Sequence, residues 1–341
     1  MPAARYASAA VSITAPARLH LGFLDLNGSL ERRFGSLGLA LDEPAYQLHI
    51  RPAERLQIHG PDAARAERYV RRLHERLGWP LGVRIEIASA IPAHSGLGSG
   101  TQLGLACGMG MARLLNLPAT PAQVAGVLGR GARSGIGIGS FEQGGFIIDG
   151  GRSEDADPDQ VPPTIVRQAL PSPWRVLLLF DRGRIGISGG AEVRAFQTLS
   201  AFTEAQAGQL CRLALMQVLP ALAEADFQRF GRAISQIQQV MGDYFSPMQG
   251  GRFTSPQVAG ILETLAQQGR VGLGQSSWGP TGFVLCPDPQ DAHQLQAQLQ
   301  QQWQHHPALT FVVATPRSQA ASLTVFSGDR ERQDQLQKTA G

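Results

Sequence analysis

The chain has 341 residues, of which 43% are hydrophobic and 17% are charged. This composition is globular and excludes wholesale disorder, and the length is typical of two domains. The formal net charge of +3 is small and spread along the chain, which argues against a nucleic-acid-binding protein.

Apolar periodicity predicts an α+β first half. Half-buried strands are expected at 46–50 and 83–87, and helices at 63–77, at 101–115 and from Thr120, with Thr120 as N-cap and Pro121 in the first helical position. Residues 150–164 are acidic, rich in proline and without periodicity, so they predict a linker or an exposed loop.

The second half predicts an α+β sandwich of the ferredoxin-like type. Its elements are expected to be a buried strand at 175–180, helices at 202–219, at 224–240 and from Ser255, a strand at 282–286, a helix at 291–304 and a strand at 309–314. The last three form a strand–helix–strand unit, which is the basis of the fold assignment. Gly269 is expected just beyond the helix that begins at Ser255.

Three features bear on the cellular context and on chemistry. Lys338 is the only lysine, which excludes lysine-bound pyridoxal chemistry and a lysine-containing P-loop in the body of the chain. The three cysteines are far apart, which fits a reducing compartment. No apolar run approaches the ~20 residues of a membrane span, and the N-terminus lacks the apolar core of a signal peptide, so we expect a cytoplasmic protein.

Residues 91–102 carry the strongest functional signal. Three glycines with Ser99 and Thr101 lie between a predicted strand and a predicted apolar helix. Glycine lets the backbone approach a ligand, and the start of a helix offers N–H groups and positive potential. The segment therefore predicts a phosphate or pyrophosphate site, with a glycine turn selected for tight packing as the alternative.

Two further segments are rich in glycine and serine. They lie at 133–149 and 274–282. Alone, the first could be a flexible turn before a strand and the second a β-turn with a buried tryptophan. Three such loops together favour a shared site.

These segments resemble the motifs of the GHMP superfamily of small-molecule kinases and their relatives. The first motif is similar to residues 14–25, the PxxxGLGS phosphate loop matches residues 92–99, and the third motif resembles residues 274–282. Within the superfamily the chain resembles most closely the β-ribofuranosylaminobenzene 5′-phosphate synthases. The stretches that carry this likeness are ARLHLGFLDL, FGSLGLALD, HSGLGSGTQ, SGIGIGSFEQGGFIIDGG, GISGGAE and QSSWGPTGF.

The resemblance implies a two-domain α+β GHMP-type fold. An N-terminal domain resembling part of a ribosomal protein would span residues 1–168, and a ferredoxin-like domain residues 169–341. The implied enzyme is a decarboxylating phosphoribosyltransferase that joins 4-aminobenzoate to 5-phosphoribosyl 1-pyrophosphate and releases pyrophosphate and carbon dioxide, in tetrahydromethanopterin biosynthesis. Mg²⁺ as cofactor and a homodimer are also implied.

One departure from the kinase pattern separates the branches of the superfamily. Gly137 stands where the catalytic aspartate of the kinases is expected, and glycine can neither accept nor orient a proton. Gly100 likewise replaces the second serine of the kinase loop. A kinase that uses ATP and a non-catalytic sensor of a phosphorylated metabolite remain the alternatives.

The resemblance and the chemistry together select candidate site residues. Pyrophosphate is expected to bind at Gly96, Leu97, Gly98, Ser99, Gly100, Thr101 and Gln102. Asp25, His94 and His20 are the catalytic candidates, and Asp25 and Asp149 are the candidate Mg²⁺ ligands. Substrate contacts are expected from Arg18, Arg33, Arg133, Ser276, Ser277 and Thr281. Each assignment has an alternative. Either aspartate could cap a turn, and His94 could make a structural hydrogen bond to the loop backbone. A single arginine could simply lie on the solvated surface.

Overall fold

The computed structural model describes residues 10–157, 159–186 and 190–326. Their strands form two sheets. The larger sheet contains β1 (Ala10–Asp25), β2 (Arg32–Pro52), β3 (Gln57–His59), β4 (Val83–Ser89), β5 (Phe146–Asp149), β6 (Arg152–Ser153), β7 (Thr164–Gln168) and β12 (Ser322–Phe326). The smaller sheet contains β8 (Arg175–Asp181), β9 (Leu273–Gln275), β10 (Gly282–Cys286) and β11 (Leu309–Ala314).

The larger sheet is built around the long antiparallel pair β1–β2. Its main strand order is β12-β1-β2-β4-β3, while β5 and β6 also pair with β2, and β7 pairs with β5. The predicted strand at 46–50 is confirmed as one end of β2, where Tyr46, Leu48 and Ile50 are fully buried. The rest of β2 was not predicted, because its glycines and charges interrupt the alternation that reveals a half-buried strand.

Four helices pack in the N-terminal half. They are α1 (Ala63–Leu77), α2 (Ser99–Leu115), α3 (Pro121–Val127) and α4 (Ile136–Glu142). The first three confirm predicted helices. Thr120 caps α3 as expected, since its side chain accepts a hydrogen bond from the Gln123 N–H and the Gln123 side chain accepts one from the Thr120 N–H.

The smaller sheet confirms the ferredoxin-like prediction. Its strand order is β11-β8-β10-β9, and β8 is antiparallel to both β10 and β11. β10 and β11 are therefore parallel to each other, and α10 (Pro289–Gln302) connects them. One face of this sheet packs against α10 and α9 (Pro256–Gln267), and the other face joins the main hydrophobic core.

Most of the remaining helices lie between β8 and β9. They are α5 (Gly190–Thr198), α6 (Glu204–Leu213), a π-helical turn (Ala214–Val218), α7 (Leu219–Ala223) and α8 (Phe227–Gln249). The π turn directly precedes Pro220, which lacks the N–H that an ordinary helix ladder needs. Ser255 caps α9 through the Val258 N–H, and Gly269 follows that helix with φ +83°, both as predicted.

The acidic segment at 150–164 connects β5 to β7 within the larger sheet and contains the two-residue strand β6, so it is only in part the loop that was predicted. The predicted division after residue 168 falls between β7 and β8, where the chain passes from one sheet to the other. β12 then returns to pair with β1, so the end of the second half completes the first sheet. Within the described ranges, no helix combines the length and apolar character needed to cross a membrane.

Candidate active site

A cleft of about 480 Å³ lies where the three glycine-rich segments meet. It is lined by the loop around residues 94–101, by residues 129–134 and by residues 277–279, together with side chains from β1 and α1. We call it the arginine cleft, because five arginines line it: Arg18, Arg65, Arg68, Arg130 and Arg133.

The loop before α2 forms one wall of the arginine cleft. Gly96 and Gly98 have φ values of +84° and +81°, which glycine adopts without strain, and Gly98 is the N-cap of the 17-residue α2. Ser99, Gly100 and Thr101 open the helix and also line the cleft. The first turn of α2 thus directs N–H groups and the positive end of its dipole at the cleft, which suits a phosphate group.

Residues of β1 and of the segment at 274–282 fix this loop in place. The Arg18 guanidinium and the Ser276 hydroxyl both donate to the Gly96 carbonyl, the latter at 2.8 Å. The Ser276 hydroxyl also accepts from the His20 N–H at 3.0 Å. Gly279 lies against the loop so closely that a Cβ there would be 2.1 Å from the Ser95 carbonyl oxygen. Three distant segments are therefore locked into one surface.

Two arginines are positioned beside the start of α2. Arg65 donates to Asp62 at 2.7 Å, to the Tyr46 hydroxyl at 2.6 Å and to the Ser99 hydroxyl at 3.3 Å. Arg130 stacks over the Tyr69 ring, 5.3 Å from its centroid, and donates to the Tyr69 hydroxyl. Both guanidinium groups are thereby held in the cleft lining beside the first turn of α2, and arginine is the side chain best suited to bind phosphate oxygens.

The electrostatics of the cleft are one-sided. Its described lining contains five arginines and neither aspartate nor glutamate. Of these five arginines, Arg65 is paired with an acidic residue, Asp62, at 2.7 Å. Such a cleft attracts ligands with several negative charges.

His20 lies at the inner end of the cleft and is 4% exposed. Burial, with the charges of Arg18 and Arg133, lowers the pKa of His20 to about 3. The imidazole is therefore neutral at physiological pH. It cannot serve as an acid there, but it can accept or donate a hydrogen bond.

Aromatic side chains surround His20. The Phe23 ring centroid is 4.7 Å from that of His20, and Phe23 also packs edge-on against Phe196 and Phe245. The Trp278 ring centroid lies 4.2 Å from that of Phe245, with the two rings tilted by 50°. The cleft near His20 thus offers ring surfaces beside Arg18 and Arg133, and the start of α2 adds backbone N–H groups beside Arg65 and Arg130.

Several sequence-predicted residues line the cleft directly. They are Arg18, His20, His94, Gly96, Gly98, Ser99, Gly100, Thr101, Arg133 and Ser277. Four more support the loop from behind: Leu97, Gln102, Ser276 and Thr281 are buried and are not among the lining residues. The Gln102 side chain, for example, donates to the Gly137 carbonyl at 2.7 Å. Residues 187–189 of the matching stretch at 186–192 lie outside the described ranges.

The structure does not bring Asp25, Asp149 or Arg33 to the cleft lining. The Asp25 carboxylate accepts hydrogen bonds from the Asn27 and Gly28 N–H groups. It therefore caps a turn, which was the alternative to a catalytic or metal-binding role. Asp149 is fully buried, and burial raises the pKa of its carboxyl. Arg33 is exposed and donates to the Leu26 carbonyl.

Asp149 has a structural role in the second glycine segment. Its carboxylate accepts hydrogen bonds from two serine hydroxyls and two backbone N–H groups, those of Ser36, Ser134, Gly135 and Gly151. These donors occupy both of its oxygens, so Asp149 holds the turn at 134–135 rather than facing a ligand.

Sequence reasoning missed Arg65, Arg68, Tyr69 and Arg130. A signal was available for the first two, because residues three apart share one face of a helix and Arg65 and Arg68 form a basic face on α1. Arg130 carried no comparable signal. It follows α3 in a turn whose approach to α2 depends on tertiary packing.

The residues present do not fit a Mg²⁺ ion held by the protein. Magnesium prefers carboxylate and water oxygens, and no carboxylate lines the described part of the cleft. Nowhere in the described ranges do three or more His, Cys, Asp or Glu side chains form a group that could hold a metal ion.

Comparison with known families agrees with this geometry. The family described as GHMP kinases N terminal domain matches residues 64–144, and the family described as GHMP kinases C terminal matches residues 218–305. The first match includes the phosphate loop.

Curated proteins match over most of their length. The beta-ribofuranosylphenol 5'-phosphate synthase of Archaeoglobus fulgidus is 36% identical over 79% of this chain and 86% of its own. The protein of the same name from Methanothermobacter thermautotrophicus is 32% identical over 81% of this chain and 88% of its own.

Solved structures of low sequence identity share the fold. Homoserine kinase from Cytophaga hutchinsonii aligns with a TM-score of 0.60 at 16% identity, covering 94% of this chain and 99% of its own. Mevalonate diphosphate decarboxylase from Staphylococcus aureus aligns with a TM-score of 0.61 at 13% identity, covering 92% of this chain and 98% of its own.

Proposed function

Since the chain belongs to the family of beta-ribofuranosylphenol 5'-phosphate synthases, with the GHMP kinase fold, we propose that it is a decarboxylating phosphoribosyltransferase. It joins the ribose of 5-phosphoribosyl 1-pyrophosphate to the ring of a para-substituted benzoate and releases pyrophosphate and carbon dioxide. The observation that carries this proposal is the arginine cleft itself, whose lining combines a polyanion site at α2 with the aromatic rings of Phe23 and Trp278.

The polyanion site supplies what departure of pyrophosphate requires. As the bond between the ribose anomeric carbon and oxygen breaks, negative charge grows on the leaving group. The N–H groups at the start of α2, with Arg65 and Arg130 beside them, can stabilise that charge. The ribose carbon becomes oxocarbenium-like and needs a nucleophile on its other face.

The nucleophile is the ring carbon that carries the carboxylate. Its attack forms the carbon–carbon bond and gives a ring cation. The electron pair of the bond to the carboxylate then returns to the ring as carbon dioxide leaves, which restores aromaticity. No proton is transferred at that carbon, so a neutral His20 is compatible with the reaction.

The para substituent of the acceptor is proposed from the relatives. Their names give the product as a ribofuranosylphenol, not a ribofuranosylaminobenzene. We therefore propose 4-hydroxybenzoate as the preferred acceptor, with 4-aminobenzoate, the expected substrate from the sequence resemblance, as the competing one. We also propose Mg²⁺ as a counter-ion that arrives with the diphosphate substrate, and a homodimer as the assembly.

The two alternatives are less well supported. Gly137 lies in α4 and is buried, and a Cβ there would be 3.1 Å from the Thr101 methyl carbon, so this position offers no carboxylate to an alcohol substrate. A sensor would bind the same ligands without turnover. Catalytic turnover of the substrates therefore distinguishes the proposed enzyme from a sensor.

Identification of the product tests the proposal. The protein is incubated with phosphoribosyl pyrophosphate, Mg²⁺ and either 4-hydroxybenzoate or 4-aminobenzoate, and the product is identified by mass spectrometry after acid treatment. We expect an acid-stable ribosyl phosphate joined to the ring by carbon and lacking the carboxyl group. An acid-labile ester that retains the carboxyl group, or ADP formed when ATP and small alcohols are supplied, would contradict it.

A further inference from the structure

The glycine-rich segment at 274–282 contains a serine in a backbone conformation that suits glycine. Ser277 has a φ of +56°, and residues 276–279 form a turn closed by a hydrogen bond from the Gly279 N–H to the Ser276 carbonyl at 3.2 Å. Of the two central residues of this turn, only Ser277 has a positive φ, which is the pattern of a type II′ turn. Glycine is the usual residue at that position, because a Cβ makes the conformation unfavourable.

Backbone strain of this kind is retained where the side chain is used. Two non-glycine residues with positive φ line the arginine cleft, His94 and Ser277. Histidine adopts this conformation more readily than most residues, whereas serine has no such preference. A serine kept where glycine would be unstrained therefore points to a role for its hydroxyl group.

The Ser277 hydroxyl has no role in holding the described protein together. The hydrogen bonds of Ser277 use its backbone: its N–H donates to the His20 carbonyl at 3.1 Å, and its carbonyl accepts from the Gln275 side chain at 3.0 Å. No described residue hydrogen-bonds to the hydroxyl. The hydroxyl oxygen is also not among the described polar atoms that are both unpartnered and sealed from solvent, so a ligand can reach it.

Ser277 lies where the phosphate loop adjoins aromatic side chains. It is half-buried, and it lines both the arginine cleft and a smaller cavity of about 30 Å³ beside it. Phe23 and Trp278 line the same two cavities. The preceding residue touches the loop, since a Cβ at Gly96 would be 2.1 Å from the Ser276 carbonyl oxygen. Ser277 therefore adjoins both the loop and the rings.

We propose, resting on the function proposed above, that the Ser277 hydroxyl binds a hydroxyl group of the donor ribose. The pyrophosphate lies at the loop and the acceptor ring lies against the aromatic side chains. The ribose is bonded to the first and must meet the second as the new bond forms, so it occupies the region that adjoins both.

The chemistry of serine suits this role. A serine hydroxyl both donates and accepts, so it pairs with a ribose hydroxyl in either direction. Hydrogen bonds to a sugar hydroxyl beside the reacting carbon strengthen as the sugar becomes oxocarbenium-like. Glycine would relieve the strain in the turn but would supply no such bond.

Two ligands distinguish a ribose contact from a phosphate contact: pyrophosphate and phosphoribosyl pyrophosphate. Ser277→Ala removes the hydroxyl and keeps the Cβ, and Ser277→Gly removes the hydroxyl together with the strain. Ser99→Ala is the comparison variant, because Ser99 opens α2 at the phosphate loop. Calorimetry with Mg²⁺ and no aromatic acid measures the affinity of each variant for both ligands, and urea unfolding measures its stability.

Both Ser277 variants should bind phosphoribosyl pyrophosphate about fivefold to tenfold more weakly than the wild type, the scale of one neutral hydrogen bond. Their affinity for pyrophosphate should equal that of the wild type, whereas Ser99→Ala should weaken binding of both ligands. Ser277→Gly should be at least as stable as the wild type, because glycine adopts a positive φ without strain. Weaker donor binding by a protein of undiminished stability is not a result that damage to the fold produces.

Ala225→Gly is the matched control for the relief of strain. Ala225 has a φ of +55°, is exposed between α7 and α8, and does not line the arginine cleft. This variant should also be at least as stable as the wild type, and it should bind both ligands with wild-type affinity.

Three results would overturn the inference. Unchanged affinity of Ser277→Ala for phosphoribosyl pyrophosphate would show that the hydroxyl does not contact the donor. Equal losses for the two ligands would place the hydroxyl on a phosphate group, and a Ser277→Gly variant less stable than the wild type would show that serine serves the fold. If the wild-type protein binds neither ligand, the proposed function fails, whereas equally tight binding by the wild type and Ser277→Ala defeats only the assignment of Ser277.

Discussion

Arg65 connects a polar cluster on α1 with the start of α2. Asp62 and Tyr46 hold its guanidinium from one side, and the Ser99 hydroxyl lies 3.3 Å away on the other. Its side chain is only 15% exposed, so its position is fixed by these contacts. An arginine held in this way loses little side-chain entropy when it binds a phosphate group.

Arg65→Gln should weaken binding of the donor while the fold is kept. The lost charge-assisted hydrogen bonds predict a rise of about tenfold to a hundredfold in the KM for phosphoribosyl pyrophosphate. Arg71→Gln is the control, because Arg71 lies on the same helix, is exposed and pairs only with Glu67 in the described contacts. Equal KM values in the two variants would rule out a direct role for Arg65.

The low pKa of His20 predicts how the free energy of unfolding changes with pH. Its pKa is about 3 in the folded protein against 6.5 for an ordinary histidine, so the unfolded chain takes up a proton first as the pH falls. The stabilisation is complete above pH 6.5 and is lost progressively toward pH 3. Between about pH 7.5 and about pH 5 the loss should be roughly 2 kcal/mol.

Urea unfolding at both pH values measures this loss. We expect His20→Gln to lose about 2 kcal/mol less than the wild type over that interval, since glutamine does not titrate. His59→Gln serves as an exposed control and should behave as the wild type. The same loss in wild type and His20→Gln would mean that the buried imidazole is not the group responsible.

Single residues were predictable where local chemistry determines their role. The glycines and hydroxyls at 96–101 could be recognised because the loop and the helix start are one continuous segment. Asp25 and Asp149 show the limit, since an aspartate after a strand has the same sequence signal whether it binds a metal or caps a turn. Only their hydrogen-bond partners distinguish the two roles.

At the scale of elements, the third glycine segment and the phosphate loop meet almost backbone to backbone. Gly279 is one point of very close contact, because a Cβ there would lie 2.1 Å from the Ser95 carbonyl oxygen and 2.3 Å from the Gly96 nitrogen. The neighbouring atoms are backbone, so they cannot move aside as a flexible side chain would. The contact therefore couples the smaller sheet to the phosphate site.

Gly279→Ala should destabilise the protein by about 2 kcal/mol and weaken pyrophosphate binding, because overpacking displaces the loop. Gly260→Ala provides a matched substitution on α9, where a Cβ meets nothing within 4 Å. That control should be neutral or stabilising by about 0.5–1 kcal/mol, as expected for replacing a helical glycine. Chemical denaturation and calorimetry measure both effects, and a Gly279→Ala variant as stable as Gly260→Ala would contradict the contact.

Helices that begin with a clear N-capping residue were predicted well. The caps at Thr120 and Ser255, with the apolar faces that follow them, identify α3 and α9 from local sequence alone. The helix α4 was missed because its sequence IGIGSFE contains two glycines, which disfavour a helix. Packing of Gly137 against Thr101 in α2 explains why small residues are needed there.

The whole molecule places its two sheets so that three remote segments share one cleft. The ferredoxin-like half was predictable because its strands and helices have simple periods and its strand–helix–strand unit is local. The return of β12 to β1 was not, because pairing between residues more than 300 positions apart leaves no local pattern. The grouping of Arg65 and Arg130 with Arg18 was not predictable either, because it depends on packing between segments that are distant in the sequence.

The central claim is that one bond-forming event expels both pyrophosphate and carbon dioxide. The most direct test is their simultaneous measurement with carboxyl-labelled 4-hydroxybenzoate and phosphoribosyl pyrophosphate, omitting each substrate in turn. We predict equal amounts of the two products, none when either substrate is missing, and no requirement for ATP. Pyrophosphate released without the aromatic acid, or carbon dioxide released without pyrophosphate, would contradict the account.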